Sequence, residues 1–303
     1  MKGIGNIKTF AAAVVLLFCI AANAKELNVL TIGNSFADSV FVYLPKIAAA
    51  EGRELVIDRA NHGGCELDRH WSYVVREEKN PELKLYKNNK CSLREILQSR
   101  KWDIVSIQQA SHKSWIAESY FPYAQYLKDY IKKNAPQAEV VIQQTWAYNP
   151  DDSRLNDGAW KITQSQMFDK IRAAYADAAR KLGGLRIIPT GLAIDIARKN
   201  EPHPYKGNLK QVRDTIVPPD LPTRAGEFVG NFGWTKNKKT GELELYVDTI
   251  HLNNRGEYLQ ACVWYGFLFD KDPETIKYVP DSIGDSDAKR IRKAASEALK
   301  SIK

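Results

Sequence analysis

The stretch Leu27-Asn28-Val29-Leu30-Thr31-Ile32-Gly33-Asn34-Ser35-Phe36 decides the fold. A short apolar run ends at a glycine, and Ala37 to Glu51 continues with a helical pattern. A strand buried on both faces of a parallel sheet has this unbroken apolar character, and glycine punctuates its end. In an open α/β sheet, ligands bind beyond the carboxyl ends of the strands, which is where Ser35 falls. A helix N-terminus at that point offers free N–H groups and a positive dipole end to a developing oxyanion. Read singly, Ser35 is equally well a helix cap.

The same rhythm continues outward. Val40 to Ala50 reads as an amphipathic helix ended by Gly52, and Glu54 to Ala60 as a second strand. That strand runs into Asn61-His62-Gly63-Gly64-Cys65, and helical segments are expected over Leu67–Glu78 and Leu93–Gln98. Ile104 to Ile107 is a third strand, closing on Gln108-Gln109-Ala110-Ser111-His112. A helix over Tyr120–Asn134, a strand over Ala138–Thr145 and a helix over Thr163–Leu182 follow, the last closed by Gly183-Gly184. A fifth strand, Leu185 to Pro189, precedes a short helix over Leu192–Arg198. Five strand–helix repeats predict an α/β protein: a doubly wound, three-layer α/β/α arrangement around a five-stranded, mainly parallel sheet.

Residues 199–242 break the rhythm. The stretch from Pro202 to Thr240 is rich in Pro, Gly and Asn and carries Phe228, Phe232 and Trp234. It reads as an irregular insertion, and a loop of that length is usually functional or disordered. A short strand over Leu243–Val247, then Asp248-Thr249-Ile250-His251, leads to an apolar helix over Gly256–Phe269. One domain over residues 25–303 is the expectation.

The first 24 residues read as a leader. Lys2 to Lys8 is a basic region, Ala11 to Ile20 an apolar one, and Ala22-Asn23-Ala24 a small-residue cleavage site, so export with a mature start at Lys25 is expected. The apolar run is short for a membrane span. Cys19 offers a lipoprotein alternative, which Phe18 disfavours because a small residue belongs there. Cys65, Cys91 and Cys262 remain, an odd set that allows at most one internal disulfide. Cys65–Cys91 is a pairing open to an exported protein, and Cys262 reads as a core residue. No Cys/His spacing typical of structural zinc is present, and no metal or cofactor is expected. The formal charge of +8 is scattered, and the basic tail from Lys289 to Lys303 reads as a solvated amphipathic helix rather than a nucleic-acid contact.

Two further motifs bear on chemistry. Asp248 and His251 stand three apart, a spacing that can place a carboxylate beside one imidazole nitrogen and leave the other free. Taken alone, that pair is also a helix cap and a surface histidine. Gly-Asn-Ser-Phe after the first strand, Asn61-x-Gly-Gly after the second, Gln108-Gln109 after the third and Asp-x-x-His before the last long helix occur in this order. In this the chain resembles the SGNH (GDSL-like) hydrolase superfamily, and looks most like a secreted bacterial branch that begins Gly-Asn-Ser-Phe. The resemblance runs from Asn28 to about Phe269.

The resemblance implies a flavodoxin-like SGNH hydrolase fold and a set of roles. Ser35 would be the nucleophile, His251 the base and Asp248 its orienting carboxylate. The oxyanion hole would use the backbone N–H groups of Ser35 and Gly64. The family's third donor is an Asn side chain after the third strand; here Gln108 or Gln109 stands in that place, and a Gln amide can donate the same bond. Gln108 is the choice for the hole, with Gln109, Trp146 and Trp234 expected to contact substrate. His62 and His112 fall near the same rim, His70 and His203 have no evident partner, and Trp115 and Trp160 join the aromatic set on which sugar rings stack.

The expected activity is hydrolysis of acyl esters, specifically acetyl groups on carbohydrate, on a small-molecule or oligosaccharide substrate, without nucleic acid or an integral membrane segment. The alternatives are a catalytically weak glycan-binding protein on the same fold, and a thioesterase or lipase. The chain lacks the long apolar lid helix expected for lipid substrates.

Overall fold

The structure is a computed structural model and describes residues 26–302. The expected leader over residues 1–24, with Cys19, lies outside the described residues. Among the described residues seven strands form: β1 (Leu27–Ile32), β2 (Leu55–Arg59), β3 (Ile104–Ile107), β4 (Glu139–Gln143), β5 (Ile187–Ile188), β6 (Val229–Lys236) and β7 (Leu243–Leu252). The α-helices are α1 (Ser35–Asp38), α2 (Val40–Ala50), α3 (Leu67–Lys79), α4 (Leu93–Gln98), α5 (Tyr123–Asn134), α6 (Gln164–Lys181), α7 (Thr190–Lys199), α8 (Leu209–Val212), α9 (Asn254–Phe269) and α10 (Asp285–Lys300).

Strands β1 to β5 make one sheet in the order β2-β1-β3-β4-β5, and every neighbouring pair is parallel. The central strands are apolar because both faces are covered: all of β3 is buried, and β1 and β4 are buried over their last four residues. The chain moves one way from β1 to β2 and the other way from β2 through β5. Right-handed crossovers then place α2 on one face and the helices after β2 on the other. On the first face α2, α7, α9 and α10 pack together, and α3, α4 and α5 pack together on the second. The α/β expectation of a five-stranded doubly wound sheet is met, with order reversing at β1 and β3.

Local signals set the helix ends. Capping boxes start α4 (Ser92 with Glu95) and α6 (Thr163 with Gln166), satisfying N–H groups that have no intrahelical acceptor. Helix α9 is buried from Tyr258 to Phe267, Cys262 included, so it behaves as a core element and shows little amphipathic stripe. The basic tail is largely α10, whose Ala288, Ile291, Ala295 and Leu299 are buried while its charges face outward.

The insertion differs from expectation. Residues 229–252 form an antiparallel β6–β7 hairpin, so β7 continues five residues beyond the expected Val247. Gly230 and Gly233 interrupt the apolar pattern of β6 and hide it from a periodicity reading. Cys65, Cys91 and Cys262 are all free thiols, so the Cys65–Cys91 pairing is not formed. No described helix is long and apolar enough to cross a membrane.

Candidate active site

Ser35 is the first residue of α1, directly beyond the carboxyl end of β1. It is not the cap. Asn34 takes that position with extended backbone, and its Oδ1 accepts from Phe36 N at 3.1 Å. The Asn34 amide also donates to Cys65 O at 3.1 Å, fastening the turn after β1 to the loop after β2. The preceding carbonyl, Gly33 O, accepts from His62 N at 3.0 Å and meets His70 Nε2 at 2.9 Å. Because a carbonyl only accepts, His70 carries its proton on Nε2, and its Nδ1 accepts from the Tyr86 hydroxyl at 3.0 Å. The Ser35 hydroxyl is left to the cleft, since backbone groups around it are held by these neighbours.

Asp248 and His251 lie on β7 rather than on a turn entering a helix. On a regular strand, residues three apart point to opposite faces. The register explains how they meet. Asn231 pairs with Asp248 and Val229 with Leu252, so Gly230 alone on β6 stands opposite residues 249–251 of β7. The extra residues bulge out and turn His251 back toward Asp248. Asp248 Oδ1 closes the bulge by accepting from Ile250 N at 2.9 Å and His251 N at 3.0 Å. Its other oxygen, Oδ2, lies 2.8 Å from His251 Nδ1, and His251 Nε2 lies 2.8 Å from Ser35 Oγ. A carboxylate fixes the tautomer with the proton on Nδ1, leaving Nε2 to accept from the Ser35 hydroxyl. The structure therefore brings Ser35, His251 and Asp248 together as one chain of hydrogen bonds.

The segment after β4 clasps this bulge. Trp146 Nε1 donates to Ile250 O at 2.9 Å, Asn149 N donates to Thr249 O at 2.9 Å, and the Thr249 hydroxyl donates to Asp152 Oδ2 at 2.6 Å. Trp146 also stacks on Phe36, with ring centroids 4.1 Å apart and planes 3° apart. Two buried glutamines, Gln143 on β4 and Gln260 on α9, donate to Phe36 O at 3.4 and 3.0 Å.

The resulting cleft has a volume of about 410 Å³ and holds Ser35, Gly63, Gly64, Ser111, Tyr148 and His251 among its lining residues. Gly64 has φ +59°, the left-handed region open to glycine, which turns its N–H independently of the helix that begins at Leu67. Among the described residues, the N–H groups of Ser35 and Gly64 have no acceptor within the protein.

Four expected contacts are placed elsewhere. Gln108 is buried beneath the turn after β1: its Nε2 is 3.4 Å from Asn34 Oδ1, and its Oε1 would stand 2.8 Å from a Cβ added at Gly33. It supports Asn34 from behind and does not line the cleft. Gln109 has its amide taken up by Leu67 N, Ala110 N and Ser119, which ties the loop after β3 to α3. Trp146 is fully buried, so its ring faces Phe36 and not solvent. Trp234 sits on β6, donates to Asp220 O at 2.9 Å and does not line the cleft. His112 does line it and pairs with Glu66 at 3.0 Å.

The electrostatics follow from burial and bonding. Burial works against the Asp248 charge, but the His251 bond and the two backbone N–H groups outweigh it and hold the carboxyl below its ordinary value. Asp248 therefore stays ionised beside the imidazole. Burial lowers His70 to about 4, the bond to Gly33 only partly opposing it, so His70 is a neutral strut at neutral pH. Burial pushes the Cys65 thiol up to about 12, which makes it a poor nucleophile despite its place beside the cleft.

Asn34, Ser111, Tyr148 and Arg154 line the cleft without having been singled out from sequence. Asn34 was visible as the residue beside the serine. Tyr148 and Arg154 lie in an irregular stretch where no period reports which side chains face inward.

The chain belongs to the family described as Domain of unknown function (DUF4886), whose model matches residues 28–208. That match ends before the hairpin carrying Asp248 and His251. No curated protein gives a significant match. The chain is similar to a DUF4886 family protein from Bacteroides uniformis ATCC 8492, with 26% identity and a TM-score of 0.70 over 91% of this chain and 95% of that one. Weaker likenesses include a candidate SGNH hydrolase from Slackia heliotrinireducens, with 18% identity and TM-score 0.48 over 79% and 97% of the chains. Another is a candidate GDSL-like lipase from Parabacteroides merdae ATCC 43184, with 15% identity and TM-score 0.45 over 82% and 98%. The last two scores are too low to transfer anything from those proteins.

Proposed function

We propose that the protein is a serine ester hydrolase of the SGNH type. The observation that carries the reading is the imidazole of His251, 2.8 Å from Ser35 Oγ on one side and 2.8 Å from Asp248 Oδ2 on the other. Ser35 Oγ attacks the ester carbonyl and its proton passes to His251 Nε2, while Asp248 holds the imidazolium. The N–H groups of Ser35 and Gly64 receive the oxyanion. Collapse of the intermediate expels the alcohol with the proton from His251. A water activated by the same imidazole then releases the acid and restores Ser35.

The finer reading is an exported enzyme, cleaved after Ala24, that removes acyl groups, chiefly acetyl, from carbohydrate. The leader-like residues 1–24 support export, and the small cleft beside Tyr148 and Trp160 supports a short acyl group on a compact substrate. The test is a screen of purified protein and its Ser35→Ala variant against nitrophenyl esters of increasing acyl length and acetylated oligosaccharides. Turnover of acetate esters that Ser35→Ala abolishes is the expected result. A fully active Ser35→Ala variant contradicts the reading.

A further inference from the structure

The cleft contains one arginine held in an unusual way. Arg154 presents Nε and Nη2 to the two oxygens of Asp152, at 2.8 and 2.6 Å, and its guanidinium lies over the rings of Tyr148 and Trp160 at 4.6 and 5.1 Å. The Asp152 side chain is 2% exposed and the Arg154 side chain 37% exposed. The carboxylate therefore sits behind the guanidinium, away from the opening. Asp152 is also shared: its Oδ2 accepts from Thr249 as well as from Arg154. Side-on pairing uses one edge of the guanidinium. The other edge, with both Nη1 hydrogens and one on Nη2, has no acceptor among the described residues. That free edge is a planar fork matched to a carboxylate.

The fork belongs to the same cleft as Ser35, and of the residues lining that cleft Arg154 alone carries a fixed charge. Of the other charges nearby, Glu66 pairs with His112 at 3.0 Å and Lys113 at 3.8 Å, Asp68 pairs with Lys113 at 3.1 Å, and Arg69 is turned to the Tyr73 hydroxyl at 2.9 Å and the Gly63 carbonyl at 3.4 Å. The Asp152–Arg154 pair is anchored through Thr249 to the bulge between Asp248 and His251, so the fork has a fixed position relative to the imidazole.

We propose that Arg154 is a carboxylate-binding group, and that the preferred substrate is an ester whose alcohol portion carries a carboxylate, as an acylated uronic acid unit does. This substrate class rests on the reading of Ser35 as the nucleophile; the carboxylate-binding role of Arg154 does not.

The experiment compares a monoacetylated methyl glucoside with the corresponding methyl glucuronide, which differ by a CH₂OH or a carboxylate. Wild-type kcat/KM is expected to favour the glucuronide by roughly tenfold or more at low salt, the scale of one charge-assisted fork. The preference should shrink as salt rises. Arg154→Lys keeps a charge opposite Asp152 but removes the fork, and the ratio should fall. Arg154→Met should bring it close to one. A wild-type ratio at or below one overturns the proposal, as does a preference that survives both substitutions. Arg154→Met strands a buried carboxylate and can fail to fold, in which case the wild-type and Arg154→Lys ratios decide. A binding arm separates this proposal from the hydrolase reading. Ser35→Ala protein is titrated calorimetrically with unacetylated methyl glucuronide and methyl glucoside. If neither ester is hydrolysed, the proposed substrate class fails, while tighter glucuronide binding still supports the carboxylate-binding role of Arg154 and equal binding overturns it.

Discussion

The Trp146 indole lies face to face on the Phe36 ring, 4.1 Å between centroids. Phe36 follows Ser35 in the chain, and Trp146 Nε1 holds the carbonyl of Ile250, the residue before His251. One buried side chain thus joins the turn that presents the hydroxyl to the bulge that presents the imidazole, although the two lie near opposite ends of the chain. The clasp spans the same two segments that meet in the 2.8 Å contact between Ser35 Oγ and His251 Nε2.

Trp146→Phe should keep much of the stacking and lose the bond to Ile250 O. We expect kcat to fall by roughly tenfold with little change in KM, since a small displacement of the base affects the reacting geometry more than binding. Steady-state kinetics on a nitrophenyl acetate read this directly. Trp146→Ala should in addition cost about 3–5 kcal/mol of stability through the cavity it leaves, measured by urea denaturation. An unchanged kcat in Trp146→Phe would remove the positioning role.

Asp248→Asn tests the orientation of the imidazole. The two backbone N–H groups of Ile250 and His251 will take the Asn oxygen, so its NH₂ faces His251 Nδ1 and favours the wrong tautomer. The expected loss in kcat is about a thousandfold or more, on the scale of triad carboxylate removal. A loss of only a few-fold would show that the imidazole is oriented by something other than Asp248.

Gln108→Ala distinguishes support from catalysis. Loss of a donor in the oxyanion hole lowers turnover by about a hundred- to a thousandfold. With its amide directed at Asn34 and packed against Gly33, Gln108 should instead show a kcat change of less than about tenfold and a loss of about 1–3 kcal/mol in stability. Parallel measurement of kcat and urea midpoint separates the two roles.

His70 makes folding pH-dependent. Its folded value of about 4 lies below the ordinary 6.5, so the unfolded chain takes up the proton first as pH falls. The contribution of neutral His70 is fully present above pH 6.5 and is lost progressively down to about pH 4. The total is on the order of 3 kcal/mol, from the separation of the two values. Urea denaturation at intervals between pH 7 and 5 should show falling stability in the wild type and a flatter profile in His70→Gln. The same slope in both would place the pH dependence elsewhere.

The layered sheet was legible because its strands are buried on both faces and so read as unbroken apolar runs, Val29 to Ile32 and Ile104 to Ile107 above all. The Gly-Asn-Ser turn and the Asp-x-x-His spacing were legible as motifs. The hairpin was not, because Gly230 and Gly233 break the alternation of β6, and the bulge that turns His251 back depends on a pairing register that local sequence does not encode. The direction of Gln108 was not legible for a related reason: in a strand covered on both sides, apolarity carries no parity. Trp146 was expected at the surface of a sugar site because an aromatic side chain serves equally as platform or core. Its neighbours Phe36 and Ile250, remote in sequence, decide for the core.

The central claim is that Ser35 is a nucleophile activated by His251. Intact-mass and peptide analysis after exposure to a fluorophosphonate, which phosphonylates activated serine hydroxyls, tests it most directly. The account predicts a single adduct on Ser35 in the wild type, none in Ser35→Ala, and strongly slowed labelling in His251→Ala with the fold intact by circular dichroism. An unlabelled Ser35 in folded wild-type protein, or labelling as fast in His251→Ala as in the wild type, would contradict it.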